Sequence, residues 1–429
     1  MKYINRLLLD EIKKWIKRKE ILAIKGPRQS GKTTLLKMLS EWLKSEVKVD
    51  TRHLIYITFE DRDQLDGFYQ NPADFIGHYI SDNERYYFLI DEAQYCRELG
   101  QKLKLVYDLF ENIKLVITGS SSLELKNQTG KFLVGRIFEF ELFPLNFYEF
   151  LDYKDSGLAR YYKAQKDNLD SALSGRSNSF MIKKDKDVLL KGLLNYLNEF
   201  IKFGGFPAVV AAENDEARVT ILKNLINTYL DKDIVYFLRI NDTIKFRKFM
   251  TAIAASNGGM LKLDRLAGEI GSYFKETSGL LDDLEQTYII RRISPYHRNL
   301  VTELKKEQKI YFTDTGLRNA LIMNFSNLDQ RPDAGALVEN FVLDELYPNL
   351  RMHFWRTTAK TEVDFIAESG TLVPIEVKFQ HLSAAVGSRS LYSFLDEYSP
   401  KVCFVLTKDF WGERSFKNSK IFFMPAVYA

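Results

Sequence analysis

Short apolar runs recur through the first 150 residues, at 21–25, 54–58, 86–91, 114–118 and 138–142. Between them, apolar positions return every three or four residues. Runs that are apolar at consecutive positions read as strands buried on both faces, and the intervening stretches as amphipathic helices. That alternation predicts a parallel sheet covered by helices on both sides. Pro144 marks the exit from this core. From 151 to about 240 the pattern is helical but broken. Residues 168–187 are rich in Ser, Lys, Asp and Asn and read as a mobile loop, and Gly204-Gly205-Phe206-Pro207 as a tight turn. This region is expected to form a helical lid over the ligand of the sheet. From about 241 to 320 the spacing suits a small winged-helix unit. Its helices are expected at 246–255, 263–270 and 278–286, the last capped by Thr277 or Ser278, and its wing strands at 288–293 and 309–312.

The loop between the first strand and the helix after it carries the most specific chemistry. Residues Gly26, Pro27, Arg28, Gln29, Ser30, Gly31, Lys32 and Thr33 form a complete G-x-x-x-x-G-K-T pattern, followed by Thr34. The glycines let the backbone wrap an anion with its N–H groups, and the helix N-terminus adds partial positive charge. Lys32 is placed to reach the β- and γ-phosphates and the Thr33 hydroxyl to ligate Mg²⁺, so the expected ligand is ATP with Mg²⁺. The 86–91 strand ends in Asp91 and Glu92, on the side of a parallel sheet where ligands bind. Asp91 is expected to hold Mg²⁺ through water and Glu92 to polarise the attacking water. The 114–118 strand should lie beside it, so that Thr118 or Ser120 senses the γ-phosphate. Arg136 is the candidate arginine for charge developing on the phosphate, in cis or on a neighbouring subunit of a homo-oligomer.

Composition narrows the picture. A chain of 429 residues with 45% hydrophobic and 28% charged residues is ordinary for a globular protein and long enough for several domains. Two cysteines, Cys96 and Cys403, exclude a disulfide scaffold or a multi-cysteine zinc site, and the five histidines show no metal-ligand spacing. No signal-peptide core opens the chain and no uncharged apolar stretch reaches about 18 residues, so no membrane span and a cytoplasmic location are expected. A net charge of +4 is no footprint of a dedicated nucleic-acid binder. The basic run from Lys13 to Lys19 reads as the solvated face of an N-terminal helix. In the winged-helix-like unit the third helix carries Glu276, Asp282, Asp283 and Glu285 against Lys275. Phosphates would repel it, which favours a packing or protein-partner role over a DNA groove.

A second constellation lies near the C-terminus. Residues 361–379 read as two alternating strands about a Ser-Gly turn. Glu376 and Lys378 are two apart and share a face. An odd loop, Ser369 to Thr371, sets Asp364 directly opposite Glu376. Glu339 sits upstream on an amphipathic helix expected at 336–347. Two or three such carboxylates can hold Mg²⁺ or Mn²⁺, and a neighbouring lysine can activate water or stabilise a phosphate, which is chemistry for phosphodiester cleavage. The competing reading is a surface hairpin with ordinary alternating charge.

Taken together, these motifs resemble the bacterial and archaeal AAA-type ATPases often labelled simply "ATP-binding protein". The resemblance rests on Gly26 to Thr34, the Leu89-Ile90-Asp91-Glu92-Ala93-Gln94 strand end, and Ile117-Thr118-Gly119-Ser120. Leu133-Val134-Gly135-Arg136, the Gly204–Pro207 turn, Tyr311–Leu317 and Trp355-Arg356 extend it, and Glu362-Val363-Asp364 with Glu376-Val377-Lys378 complete it. It implies four parts. They are a P-loop NTPase domain of AAA type over 1–150, a helical lid over 151–240, a winged-helix-like domain over 241–320, and a PD-(D/E)xK restriction-endonuclease-like α/β domain over 321–429. By the same resemblance Glu339, Asp364, Glu376 and Lys378 fall on the nuclease motif positions. The implied function is ATP hydrolysis controlling an attached endonuclease-like domain that acts on DNA. The alternative is a nucleotide-dependent switch whose C-terminal fold is a binding module.

Overall fold

The computed structural model describes residues 3–120, 132–174, 180, 187–229, 242–297, 307–357 and 359–429. The chain divides into two compact units, Met1–Leu145 with Asp282–Ile289, and Asn146–Leu281 with Ile290–Ala429. The helices of the expected lid therefore count with the second unit.

In the first unit, strands β1 (Ile21–Lys25), β2 (Leu54–Thr58), β3 (Tyr86–Asp91), β4 (Ile113–Gly119) and β5 (Ile137–Glu141) form a five-stranded sheet in the order β2-β3-β4-β1-β5. Every neighbouring pair is parallel. Successive residues alternate between two cores. Ile21, Ala23, Phe88, Ile90, Leu115 and Ile117 face one, and Leu22, Ile24, Leu89 and Val116 face the other. That alternation is what buries β1, β3 and β4 at every position, whereas β2 and β5, at the two edges of the sheet, are only partly buried. The strand order sets β4 between β1 and β3, so the ends of all three open onto one place.

The second unit holds a mixed six-stranded sheet, ordered β12-β13-β11-β10-β9-β8. Its strands are β8 (Arg351–Arg356), β9 (Glu362–Glu368), β10 (Leu372–Lys378), β11 (Val402–Thr407), β12 (Gly412–Phe416) and β13 (Ser419–Pro425). Strands β8, β9 and β10 form an antiparallel meander, and β10, β11 and β13 run parallel. Helix Arg389–Tyr398 buries Leu391, Phe394 and Leu395 against Val363, Ile366 and Val405. Helix Ala334–Leu346 also packs on β10. Upstream lie helices Thr243–Ala255, Leu263–Glu269 and Phe274–Gln286, then an antiparallel ribbon of β6 (Ile290–Ile293) and β7 (Lys309–Phe312).

Two expectations need correction. The stretch 168–187 is not a loop from its start, because helix Ser156–Leu173 runs through its first six residues. Leu158, Tyr162, Leu169, Ala172 and Leu173 are buried at helical spacing, and that periodicity outweighs the polar composition. Residues 175–179 and 181–186 lie outside the described residues. The third helix of the middle region begins at Phe274, so neither Thr277 nor Ser278 caps it. Thr277 is already inside, with its hydroxyl donating to the Tyr273 carbonyl at 3.1 Å.

Two motifs far apart in sequence meet in this unit. Asp314 caps helix Thr315–Leu321 by accepting from Leu317 N at 2.8 Å, and its second oxygen accepts from Gly205 N at 2.7 Å. Burial pushes its carboxyl up to about 6, against the pull of these N–H donors. Gly204 adopts φ +77°, and a Cβ there would sit 2.2 Å from Asp314 Oδ1. A Cβ at Gly316 would sit 1.9 Å from the Phe203 carbonyl oxygen. Gly316→Ala should therefore destabilise the unit by about 2–3 kcal/mol, because two backbones must separate. Gly335→Ala, which meets nothing within 4 Å, is the control. Equal unfolding midpoints for the two variants would refute the clamp.

Candidate functional sites

The phosphate loop is built by close backbone packing. A Cβ on Gly26, at φ +155°, would lie 2.1 Å from the Leu142 carbonyl oxygen, so only glycine lets the loop meet the chain leaving β5. Gln29 is left-handed at φ 59°, and Gly31 at φ 99° starts helix Lys32–Ser45 with no side-chain cap. The first N–H groups of that helix are thus left for an anion. Ser30 Oγ is buried without a hydrogen-bond partner, a further polar atom suited to a phosphate oxygen. Lys32 is 4% exposed, with Nζ donating to the Gly26 and Pro27 carbonyls at 2.9 and 2.8 Å. The loop therefore fits a nucleotide phosphate on its own geometry.

Asp91 lies at the end of β3 under three hydroxyls. Thr33 Oγ1 and Tyr56 OH donate to its Oδ2 at 2.7 and 2.8 Å, and Thr118 Oγ1 donates to Oδ1. The two groups expected to hold Mg²⁺, Thr33 and Asp91, are in direct contact. Burial, then the negative charge of Asp91, pushes the Tyr56 phenol well above its ordinary range, so it stays a donor. Glu92 is left-handed at φ 54°, and its N–H donates to Asp91 Oδ1 at 3.2 Å and Thr118 Oγ1 at 3.3 Å. Gln94 donates to the Glu92 carboxylate and, at 3.0 Å, to Ser120 Oγ. The structure thus joins Thr33, Asp91, Glu92, Thr118 and Ser120 in one hydrogen-bonded network through Gln94, while Lys32 stays on the loop carbonyls.

Arg136 is not part of it. It precedes β5 and its carbonyl accepts from Ile21 N at 2.8 Å, at the start of β1, whereas the phosphate loop follows the end of β1. Its guanidinium pairs with Asp108 at 3.1 Å, at the end of helix Leu99–Leu109. Arg136 thus stands at the opposite end of β1 and β5 from the phosphate loop.

The C-terminal quartet converges within the second unit. Hairpin β9–β10 pairs Leu372 with Glu368 and Ile375 with Phe365 around a three-residue turn, a register that sets Glu376 across from Asp364. Asp364 Oδ2 accepts from Val377 N at 2.8 Å. Glu376 is 3% exposed and pairs with Lys378 at 3.1 Å, and it also accepts from Ser388 N at 3.4 Å. Glu339 accepts from Tyr311 OH at 3.4 Å. Burial, then the charge of Asp364, raises the Glu339 carboxyl, and burial likewise raises Asp364. Burial works against the charge on Lys378, but Glu376 together with Asp364 and Glu339 outweighs it, and the ammonium is held above its ordinary range. In charge and burial the acids suit a cation. Among the described residues, however, no group of three or more His, Cys, Asp or Glu stands ready as a metal cage.

Several neighbours were not visible in the sequence. Lys309, on β7, is 3% exposed and pairs with Glu362 at 2.5 Å. It is the leading positive charge acting on Asp364, ahead of Lys378. Arg6 donates to the Ser30 carbonyl at 2.6 Å and the Phe143 carbonyl at 2.7 Å, bracing the phosphate loop from outside. Tyr56 and Gln94 belong to the Asp91–Glu92 network. Only Gln94 carried a signal, since it stands two residues after Glu92.

Comparison with known proteins agrees with the first site. Residues 18–151 match the model of the AAA domain family. Residues 194–328 and 334–426 match two domains of unknown function, DUF8612 and DUF4143. The chain is similar to an uncharacterized protein of Haemophilus influenzae, 27% identical, with 84% of this chain and 82% of that protein covered. It is also similar to an uncharacterized protein of Methanocaldococcus jannaschii, 27% identical, with 81% of this chain and 72% of that protein covered. Among solved structures, the Aeropyrum pernix ORC2 protein in ADPNP–ADP complexes aligns at TM-score 0.36. It is 11% identical, with 73% of this chain and 89% of that chain covered. The ORC1 protein of the same organism, in complex with DNA, aligns at TM-score 0.31 and 13% identity, covering 74% and 91%. At such scores the structural likeness says nothing about function. The N-terminal sheet and its phosphate loop lie within the stretch that matches the AAA domain model.

Proposed function

We propose that this protein hydrolyses ATP with Mg²⁺ and uses the cycle to control a restriction-endonuclease-like domain acting on DNA, in DNA processing or defence. The observation that carries the first half is the contact of Thr33, on the phosphate loop, with Asp91, at the end of β3. The loop N–H groups and Lys32 bind and orient the phosphates, Asp91 and Thr33 would hold Mg²⁺, and Glu92 accepts the proton of the attacking water. Bound Mg²⁺ supplies positive charge to the β- and γ-phosphates. Arg136, remote from its own nucleotide, is assigned to a neighbouring subunit's nucleotide in a homo-oligomer. A cytoplasmic location fits this reading, and no described helix is long and apolar enough to cross a membrane.

The second half rests on the quartet and its frame: an antiparallel meander, a helix and a parallel strand, in the order β8-β9-β10, Arg389–Tyr398, β11. Glu339, Asp364 and Glu376 are the residues that would hold Mg²⁺ or Mn²⁺, and Lys378 would face the scissile phosphate. A winged-helix-like role for residues 241–320, as a protein-contact module, belongs to the same proposal. One observation favours the alternative of a nucleotide-dependent switch with a non-catalytic module. Residues 331–429 hold 11 Lys and Arg against 12 Asp and Glu, a net of −1, and DNA phosphates gain little there.

Glu92→Gln tests the chemistry. It should bind ATP with Mg²⁺ normally yet turn over about 10²–10⁴ times more slowly, since an amide accepts no proton from water. Lost binding instead would make Glu92 a structural residue. Plasmid incubated with Mg²⁺ or Mn²⁺, with and without ATP, separates the two halves: intact plasmid under all conditions supports the switch.

A further inference from the structure

We infer that Gln94 is a positioning residue for ATP hydrolysis: its amide holds the Glu92 carboxylate and ties it to Ser120 at the end of β4. This rests on reading the first site as an ATPase and goes beyond it by assigning a residue that the phosphate-loop pattern does not include.

The geometry uses the whole amide. Gln94 is 3% exposed and lies in the 3-10 turn Ala93–Tyr95 that follows the strand. One hydrogen of Nε2 goes to Glu92 Oε2 and the other to Ser120 Oγ at 3.0 Å, while Oε1 accepts from Ser120 N at 3.3 Å. Ser120 is itself 4% exposed, so this exchange takes place away from water. A buried amide with all its bonds made is fixed in both place and orientation. Glu92, by contrast, sits on a strained left-handed backbone at φ 54°, and the Gln94 amide is its side-chain anchor here.

Two consequences follow for the chemistry. The base is oriented before the nucleotide reaches it, as preorganised catalysis requires. It is also coupled to the neighbouring strand. Ser120 Oγ accepts from the amide and keeps its own proton for a phosphate oxygen. A γ-phosphate that draws Ser120 therefore draws Gln94, and Glu92 with it.

The test is a double-mutant cycle on the full chain, reading kcat for ATP and the Kd of a fluorescent ATP analogue. Gln94→Ala should lower kcat about 10–100-fold with Kd little changed, the signature of an interaction made in the chemical step. In a Glu92→Gln background the same change should cost nothing further, because its only route is through Glu92. Ser120→Ala should lower kcat and be non-additive with Gln94→Ala. Gln94→Glu, which conserves volume and sets a second carboxylate against Glu92, should reproduce the kcat loss even if the alanine variant folds poorly. Wild-type kcat in both Gln94 variants, or an equal loss with and without Glu92, overturns the inference while leaving the ATPase reading intact. A wild-type protein that binds the analogue but never turns ATP over removes the ATPase reading, and the inference with it.

Discussion

Lys32→Ala is expected to abolish ATP hydrolysis, lowering it by at least about 10²–10³-fold, with the unfolding midpoint of the protein retained. The ammonium is buried and held by the Gly26 and Pro27 carbonyls, on the inner side of the loop whose N–H groups face the ligand. Arg28 is the other basic residue of the loop. Alanine removes both the charge and the reach. Lys32→Arg should be nearly as inactive, because a planar fork cannot occupy the space of a compact ammonium. Steady-state phosphate release on the purified variants decides it, with circular dichroism to confirm the fold. Wild-type turnover in Lys32→Ala would remove the nucleotide assignment of this loop.

Asp364→Ala should remove metal-dependent DNA cleavage, by about 10²-fold or more, while ATP hydrolysis persists. Asp364 is the centre of the second site: its charge acts on Glu339, and it lies across the hairpin from Glu376. Because one oxygen accepts from Val377 N, alanine also leaves a buried donor unpaired. Asp364→Asn preserves that bond and removes only the charge. The two variants should be equally inactive in cleavage, and Asp364→Asn should be the more stable. Cleavage by Asp364→Asn at the wild-type rate would end the nuclease reading. Tighter Mn²⁺ binding by the variant than by the wild type would count against it as well.

Much of the first site was legible because its parts are local. The G-x-x-x-x-G-K-T pattern, the strand before it and the helix after it occupy one stretch, and β1, β3 and β4 are buried at every position because two cores share them. Strand order was only half legible. Asp91 and Thr118 were expected to be neighbours, but Tyr56 reaches Asp91 from β2, and no local pattern marks that residue. Composition misled at 168–173, where a polar stretch masked the helical periodicity of the buried positions Leu169, Ala172 and Leu173. The register of Asp364 and Glu376 was legible because turn parity is a local property. Lys309 was not, since it reaches the acids from a different ribbon. Arg136 was legible by residue type alone, while chain direction, which sets it at the start of β5, appears only in the fold.

The Asp314 clamp has a consequence for how the chain is made. Helix Asp187–Phe203 ends against residues that leave the ribosome much later: Gly205 bonds Asp314 at a separation of 109 residues, and Asn319 donates to the Ile201 carbonyl at 2.9 Å. At roughly 5–20 residues per second, the helical segment waits on the order of 5–20 s for its partner. During that interval the Gly204-Gly205 turn has no carboxylate to receive its N–H, and the apolar faces around Phe203 and Phe206 are uncovered. A nascent chain halted anywhere before Asp314 should therefore be protease-sensitive from residue 146 onward, and the stretch most dependent on a chaperone should be this one rather than the nucleotide sheet.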